Sequence, residues 1–215
     1  MRWAEAETMD LAVYMKEPAV RVLGPGVRYA LWVQGCPRRC PGCVAENAWD
    51  PDGGERIPVD ALAVEIALSG AEGLTVSGGE PFLQAEALAE LLEKVKKRRP
   101  MSVIVYTGYR LEELADVPGA DRLLRQIDLL IDGPYVRELD DGLSLRGSSN
   151  QRVIPLTDRC LDALPLYGSG KRELERFFHG IYLHEIGIPD DRNGETGGGE
   201  THERQKDNLY DDPGE

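Results

Sequence analysis

The chain has 215 residues, enough for one sizeable hydrophobic core, and a net charge of −13. The acidic balance argues against a non-specific nucleic-acid binder, because such proteins carry basic surfaces. No run of about 18 apolar residues is present, which argues against a membrane span. The acidic N-terminus lacks the apolar segment of a secretory signal. We therefore expect a protein of the reducing cytoplasm, without nucleic-acid or membrane partners.

Strand-like and helix-like segments alternate along the first 156 residues. Residues 27–34 predict a strand buried on both faces, and the apolar residues within 59–67 repeat on one helical face. The further predicted elements are a strand over 73–79, a helix over 84–98, a strand over 102–108, short helices over 110–115 and 120–126, and strands over 127–135 and 151–156. This alternation predicts βαβ units around a parallel sheet.

The C-terminal part of the chain departs from this alternation. Residues 157–188 hold enough Leu, Phe, Tyr and Ile to pack as an extension on a core domain of residues 23–156, which follows a lead segment of residues 1–22. Residues 189–215 carry nine acidic and three basic residues and very few apolar ones. Such a segment cannot bury enough surface to offset its ordering entropy, so we predict a disordered, acidic, Gly-rich tail. The tail is either solubilising or partner-binding.

Three of the four cysteines lie in GCPRRCPGC, directly after the first predicted strand. Clustered cysteines in a reducing compartment indicate a metal site and not a disulfide framework. Cys36, Cys40 and Cys43 suit a [4Fe–4S] cluster with one iron left for an exogenous ligand, since such clusters normally have four cysteine ligands. Zinc, which needs a fourth protein ligand, and plain thiols are the alternatives. The spacing favours none of the remaining candidates for that ligand, which are Cys160, His179 and His184. Cys160 is more simply a small buried hydrophobe.

A second motif, SGGEP, follows the strand predicted over 73–79. Glycines at a strand end let backbone groups approach a ligand closely, and Glu80 is able to accept hydrogen bonds from an ammonium group. The C-x3-C-x2-C spacing is similar to that of radical S-adenosylmethionine (SAM) enzymes, in which SAM chelates the open iron through its amino and carboxylate groups. SGGEP resembles the radical SAM motif that holds the SAM amino group.

Five blocks sharpen the resemblance. Over about residues 23–155 the chain resembles the activating enzymes of anaerobic ribonucleotide reductase. The blocks that carry the resemblance are GPGVRYALWVQGCPRRCPGC, VSGGEPFLQ, YTGYRLEEL, IDLLIDGPYV and LRGSSNQRVI. The resemblance implies an α/β fold, a partial (β/α) barrel with parallel strands. It implies that a reduced cluster cleaves SAM to methionine and a 5′-deoxyadenosyl radical, which takes a hydrogen atom from a glycine of a partner glycyl-radical enzyme. A reductant such as flavodoxin or ferredoxin is implied as well.

The resemblance also assigns roles to individual positions. The matching positions are Cys36, Cys40 and Cys43 for the cluster, Gly78, Gly79 and Glu80 for the SAM amino group, Thr107 for a SAM contact, Asp132 near the SAM ribose, and Ser148, Ser149 and Asn150 for the SAM or glycine-loop site. No separate catalytic side chain is implied, because the step is a hydrogen-atom transfer. Asp132, which precedes Gly133 and Pro134, is alternatively an ordinary turn residue.

Two other functions stay open at this point. The C-terminal extension is a departure from the family, which usually ends soon after the GSSNQR strand, and it favours a radical SAM enzyme that modifies a peptide or small molecule. The acidic tail favours a non-catalytic metal-binding interaction module. A cluster would distinguish the module from both enzymes, because the module is expected to hold zinc.

Overall fold

A computed structural model describes residues 9–143 and 145–189. The described strands are β1 (Asp10–Val20), β2 (Arg28–Val33), β3 (Glu55–Pro58), β4 (Gly73–Gly78), β5 (Ser102–Tyr106), β6 (Leu129–Asp132), β7 (Arg152–Pro155), β8 (Leu174–His179) and β9 (Tyr182–Gly187). The α-helices are α1 (Val59–Leu68), α2 (Ala85–Arg98), α3 (Ala120–Leu124) and α4 (Leu164–Gly168). Short 3₁₀ helices cover Glu46–Ala48, Pro81–Gln84, Leu111–Asp116, Arg137–Leu139 and Asp158–Ala163. None of the described helices is long and apolar enough to cross a bilayer.

Seven strands form one mixed sheet in the order β3-β1-β2-β4-β5-β6-β7. The prediction of an α/β fold is confirmed. The prediction of parallel strands holds for β2, β4, β5 and β6, whereas β1, β3 and β7 pair antiparallel with their neighbours. The connection between β1 and β2 is too short for a parallel crossover, which needs a dozen or more residues. Within the described residues β3 and β7 are the two edges, and the sheet does not close into a barrel.

Strand β1 is a structural element that the sequence analysis did not predict. It lies within the segment assigned as a lead, and it pairs with both β2 and β3. Its register against β2 shifts between Val13 and Met15 and again between Glu17 and Val20. Each shift breaks the period-two alternation by which a strand is recognised in a sequence. The segment predicted as a helix over 110–115 is a 3₁₀ helix, Leu111–Asp116.

Three helices cover one face of the sheet, which we call the outer face. Side chains from α1, α2 and α3 pack there against the strand residues Leu31, Val76 and Val105 in one buried cluster. Helix α2 contributes Leu88 and Leu92, which are fully buried, as its helical periodicity predicts. This packing leaves the opposite, inner face of the four parallel strands for other parts of the chain.

The C-terminal extension packs on the inner face. Cys160 and Tyr167 are buried against the strand residues Ile104, Leu129 and Ile131. A second buried cluster joins Ile186 of β9 to Ala30 of β2. Strands β8 and β9 form a separate antiparallel hairpin. The interpretation of Cys160 as a small buried hydrophobe is confirmed, because its side chain is 1% exposed. The predicted disordered tail begins at residue 189, and its residues 190–215 lie outside the described part of the chain.

Candidate active site

The four parallel strands end at the same edge of the sheet, where a cavity opens on the inner face. Loops at the carboxyl ends of parallel strands are the usual position for ligand sites in α/β folds. Seven of the positions that the sequence analysis assigned line this single cavity, namely Cys36, Cys40, Cys43, Gly78, Gly79, Glu80 and Thr107. The fold therefore joins the cysteine loop, the glycine motif and the end of β5, which are far apart in the sequence.

Backbone hydrogen bonds fix the cysteine loop. The Cys36 amide donates to the Trp49 carbonyl at 3.1 Å, and the Cys43 amide donates to the Cys40 carbonyl at 3.1 Å. Arg39, between the first two cysteines, has a φ of 46°, a left-handed conformation that is uncommon for a residue with a side chain. The loop is thus held at both ends and makes a tight reversal between its cysteines.

The three cysteine thiols are free, and each is half-buried in the cavity lining. Burial raises the pKa of the Cys43 thiol, and the Ala45 amide, which donates to Cys43 Sγ at 3.5 Å, opposes that rise. Among the described residues, no three His, Cys, Asp or Glu side chains converge on a point suited to a single metal ion. Three thiols distributed around a cavity fit a polynuclear cluster, in which each thiolate binds a different iron.

A buried donor beside the cysteines supports this fit. The indole nitrogen of Trp49 is shielded from solvent and makes no hydrogen bond of ordinary geometry among the described residues, although the indole interacts with Cys43 closely enough to oppose the rise in the pKa of that thiol. Trp49 lines the cavity together with the cysteines, and its side chain lies beside Cys43. Iron–sulfur clusters accept hydrogen bonds at their sulfurs, so an acceptor in this cavity would satisfy a donor that is otherwise costly to bury.

The two glycines of SGGEP stand where backbones meet. A Cβ at Gly79 would lie 2.2 Å from the Gly35 carbonyl oxygen, and one at Gly78 would lie 2.7 Å from the Trp32 Cα. Gly78 also has a φ of +97°, which favours glycine. The amides of Gly79 and Glu80 donate to the carbonyls of Val33 and Gly35 at 2.8 and 2.7 Å. Glycine is therefore needed so that the end of β4 can lie directly against the entry to the cysteine loop.

Glu80 is a buried carboxylate that protein donors surround. One oxygen accepts from the Phe82 amide at 3.0 Å and the Thr107 hydroxyl at 2.7 Å, and the other accepts from the Gly108 amide at 2.9 Å. Burial raises the pKa of Glu80, and these three donors oppose the rise. Glu80 lines the cavity, so a cationic ligand group there would offset the hydration that the carboxylate loses on burial.

Arg38 also lines the cavity. Its guanidinium lies 4.3 Å from the centroid of the Tyr109 ring and 2.9 Å from a carboxylate oxygen of Glu113. The Arg38 Nε is buried and has no hydrogen-bond partner in the described residues. These contacts hold a positive charge in the cavity lining, which suits an acidic ligand group.

Asp132 lies outside the cavity lining. Its carboxylate is fully buried, accepts from the Leu111 amide at 2.7 Å and forms an ion pair with Arg152. Side chains alternate along a strand, so Asp132 shares the outer face with Leu130 and not the inner face with Ile131. In the structure this residue joins β6 to the 3₁₀ helix Leu111–Asp116 and to β7.

Ser148 and Asn150 also lie outside the cavity lining, whereas their neighbours Gly147 and Gln151 belong to it. The Ser148 hydroxyl accepts from the Val136 amide at 3.1 Å, and the Asn150 amide group donates to the Pro134 carbonyl at 2.8 Å. Ser149 is exposed. The GSSNQR block therefore positions the loop after β6, and that loop supplies the cavity residues Gly133 and Tyr135.

Other cavity residues were not found from the sequence. They include Trp49, Tyr106, Tyr135, Asp140, Gly147, Gln151 and the segment 187–189. Gly147 and Gln151 carry a signal, because they flank assigned residues of the GSSNQR block. Segment 187–189 carries none, since only long-range packing of the extension brings it to the cavity.

Comparisons with known proteins agree with the geometry. A family model described as a 4Fe-4S single cluster domain matches residues 22–154. The anaerobic ribonucleoside-triphosphate reductase-activating protein of Enterobacteria phage T4 is 34% identical over 147 residues, which cover 66% of this chain and 92% of the phage protein. The protein of the same name from Vibrio cholerae is 37% identical over 141 residues, which cover 61% of this chain and 90% of that protein. The pyruvate formate-lyase 1-activating enzyme of Escherichia coli is 30% identical over 152 residues, which cover 66% of this chain and 59% of the enzyme.

The matched region contains the cysteine loop, the SGGEP motif and the end of β5. The resemblance drawn from the five sequence blocks is confirmed. A [4Fe–4S] cluster and SAM are the cofactors of the enzymes that share this region, and the residues around the cavity fit both. The chain therefore belongs to the radical SAM family of anaerobic ribonucleoside-triphosphate reductase-activating proteins.

Proposed function

We propose that this protein cleaves SAM reductively and generates a glycyl radical on an anaerobic ribonucleoside-triphosphate reductase. The observation that carries the proposal is the cavity in which three free cysteines meet the buried carboxylate of Glu80. Thiolates are the ligands of iron–sulfur clusters, and a buried carboxylate is a suitable partner for an ammonium group. The names of the relatives supply the partner.

When bound and reduced, the cluster supplies the electron that breaks a carbon–sulfur bond of SAM, which leaves methionine and the 5′-deoxyadenosyl radical. The residues of the chain bind and position. Cys36, Cys40 and Cys43 would hold the cluster through their three thiolates. Glu80 accepts from the SAM amino group, and Thr107 holds the Glu80 carboxylate in place through its hydroxyl. The residues that line the cavity on the inner face would exclude water from the reacting atoms.

Asp132, Ser148 and Asn150 act as positioning residues in this proposal. Each holds a backbone segment next to the cavity through the contacts described above, so each affects SAM through Tyr135, Gln151 and their neighbours. The four parallel strands follow one another in chain order with helices on the outer face, and we take this sheet as the family's partial (β/α) barrel. A small electron-transfer protein such as flavodoxin or ferredoxin is the proposed reductant, in the reducing cytoplasm where thiols persist.

The test is an anaerobic mixture of the reconstituted, reduced protein with SAM and the candidate reductase. We expect a glycyl radical signal on the reductase by electron paramagnetic resonance, and none when the Cys40→Ala variant replaces the wild type. Cys160→Ala serves as the matched control, since Cys160 is buried and does not line the cavity. SAM cleavage without any radical on the reductase would contradict the partner assignment.

A second candidate is a radical SAM enzyme that modifies a peptide or small molecule. It is favoured by one observation, that segment 187–189, which lies after the family match, contributes to the cavity. A cavity that differs from that of the relatives can admit a different substrate. Turnover of such a substrate without a protein radical would select this function over the activase.

A further inference from the structure

The end of the C-terminal extension reaches the cavity. Gly187, Ile188 and Pro189 line the same cavity as the three cysteines and Glu80. The family match ends at residue 154, and the relatives described above cover at most 66% of this chain. This part of the lining therefore lies after the region that the family model matches. We call residues 187–189 the wall segment.

Apolar packing brings the wall segment to its position. Ile186, directly before it, is 2% exposed in the cluster that contains Ala30 and Trp32 of β2. Ile188 packs instead against the cluster of Cys160 and Tyr167. Consecutive side chains on either side of Gly187 thus contact two separate buried clusters of the inner face. These two contacts fix the path of the wall segment along the cavity.

Arg172 holds the wall segment through a hydrogen bond to its last carbonyl. Its side chain is only 3% exposed, and it forms an ion pair with Asp140 at 2.8 Å. The same guanidinium donates to the Pro189 carbonyl at 2.8 Å and to the carbonyls of Arg146 and Gly147 at 2.7 and 3.1 Å. Asp140 and Gly147 are themselves cavity residues. One buried cation therefore connects the wall segment to two loops that belong to the matched region.

We propose that the wall segment 187–189 closes one side of the SAM cavity and that Arg172 is the positioning residue that holds it there. This inference rests on the proposed function, because it assumes that SAM occupies the cavity. The wall segment offers an isoleucine side chain, a proline ring and no ionisable group to the cavity that the cysteines and Glu80 also line. Such a wall excludes water and chelating solutes from an iron that has no protein ligand, and it limits the shape of the substrate that can enter.

The first test changes the wall itself. Ile188→Trp adds bulk inside the cavity, and we expect it to weaken SAM binding to the reconstituted protein at least tenfold without loss of cluster iron. The matched control is Ile181→Trp, because Ile181 belongs to the same extension and is 90% exposed; we expect SAM binding equal to wild type. Binding is measured by equilibrium dialysis with labelled SAM. Wild-type affinity in Ile188→Trp overturns the proposal, whereas a wild-type protein that binds no SAM contradicts the proposed function instead.

The second test releases the wall. Arg172→Gln leaves Asp140 as a buried unpaired charge, which is strongly unfavourable, so we expect the wall segment to detach. Iron should then be extracted from the reconstituted cluster by EDTA several-fold faster than from the wild type. Arg176→Gln is the control, because Arg176 makes an exposed pair with Glu185 in the same hairpin. Wild-type rates of iron extraction in Arg172→Gln, in a protein whose extension has become sensitive to protease, would overturn the role of the wall.

Discussion

The two sides of the cavity are held by different kinds of contact. One side lies at the carboxyl ends of the parallel strands, and we call it the edge side. There the cysteine loop and the SGGEP motif are joined backbone to backbone, through the amides of Gly79 and Glu80. On the extension side, the wall segment depends on side chains, namely apolar packing and the buried Arg172 ion pair. The close approach of backbones requires glycine at Gly78 and Gly79, whereas side-chain contacts can be replaced one at a time. The edge side is therefore expected to tolerate few substitutions, and the extension side is expected to tune the cavity.

The largest expected effect on the edge side comes from Glu80→Gln. The variant removes a carboxylate that accepts from an ammonium group, and charge-assisted hydrogen bonds contribute about 1.5–3 kcal/mol. SAM affinity should therefore fall roughly 10- to 150-fold. Glu46→Gln is the control, since Glu46 is an exposed residue shortly after the cysteine loop. Unchanged SAM affinity in Glu80→Gln, measured by equilibrium dialysis, would contradict the assignment of the amino-group site.

The pH dependence of SAM binding sharpens the same prediction. Burial raises the pKa of Glu80 above its ordinary value of 4.5. Only the ionised carboxylate attracts the ammonium group, so SAM affinity should be constant at high pH and should decrease as the pH falls through the raised pKa. The decrease should approach about tenfold per pH unit and begin above pH 4.5. Glu80→Gln should lack this dependence, and a dependence that persists in the variant would assign it to another group.

A smaller effect is expected from a substitution at Gly79, where the end of β4 lies against the backbone of Gly35. Gly79→Ala places a methyl group 2.2 Å from the Gly35 carbonyl oxygen, so the strand end must shift. We expect the free energy of unfolding to fall by about 1–3 kcal/mol. We also expect the protein to bind its cluster less tightly. Gly168→Ala, where a Cβ meets nothing within 4 Å, should change stability by no more than about 1 kcal/mol, in the stabilising direction. Equal stability losses in the two variants, by chemical denaturation, would contradict this account of the motif.

The smallest expected effect concerns Trp49. Trp49→Phe removes the buried indole donor beside Cys43 but keeps an aromatic ring in the lining. Hydrogen bonds to cluster sulfurs raise the reduction potential, so the midpoint potential of the variant should be lower than that of the wild type in a redox titration followed by electron paramagnetic resonance. Trp32→Phe changes the apolar lining by the same amount and separates the loss of the donor from the loss of bulk. An equal shift in both variants would remove the role of the indole nitrogen.

The sequence predicted the edge side well because its constraints are local. Cysteine spacing, a glycine pair after a strand and an acidic residue are each visible within ten residues, and the strand periodicity places them at one edge. Asp132 shows where this reasoning stops. Its position at a strand end is correct, but the face to which it points depends on the register of β6, which the short buried run 129–132 does not reveal.

The extension side could not be predicted from the sequence. The apolar content of residues 157–188 predicts that they pack, but nothing local in the sequence indicates that Arg172 pairs with Asp140 or that the wall segment lines the cavity. These contacts join residues separated by dozens of positions, and they depend on the order of strands in the sheet. Strand β1 was missed for a related reason, since its bulges interrupt the alternation on which prediction relies.

The most direct test of the account is SAM cleavage by the protein alone. The cluster is reconstituted without oxygen, reduced and mixed with SAM, and 5′-deoxyadenosine is measured for the wild type, Cys40→Ala and Cys160→Ala. We expect product from the wild type and Cys160→Ala and none from Cys40→Ala. Product that persists in Cys40→Ala, or a wild type with a complete cluster that yields no product even with its reductase present, would contradict it.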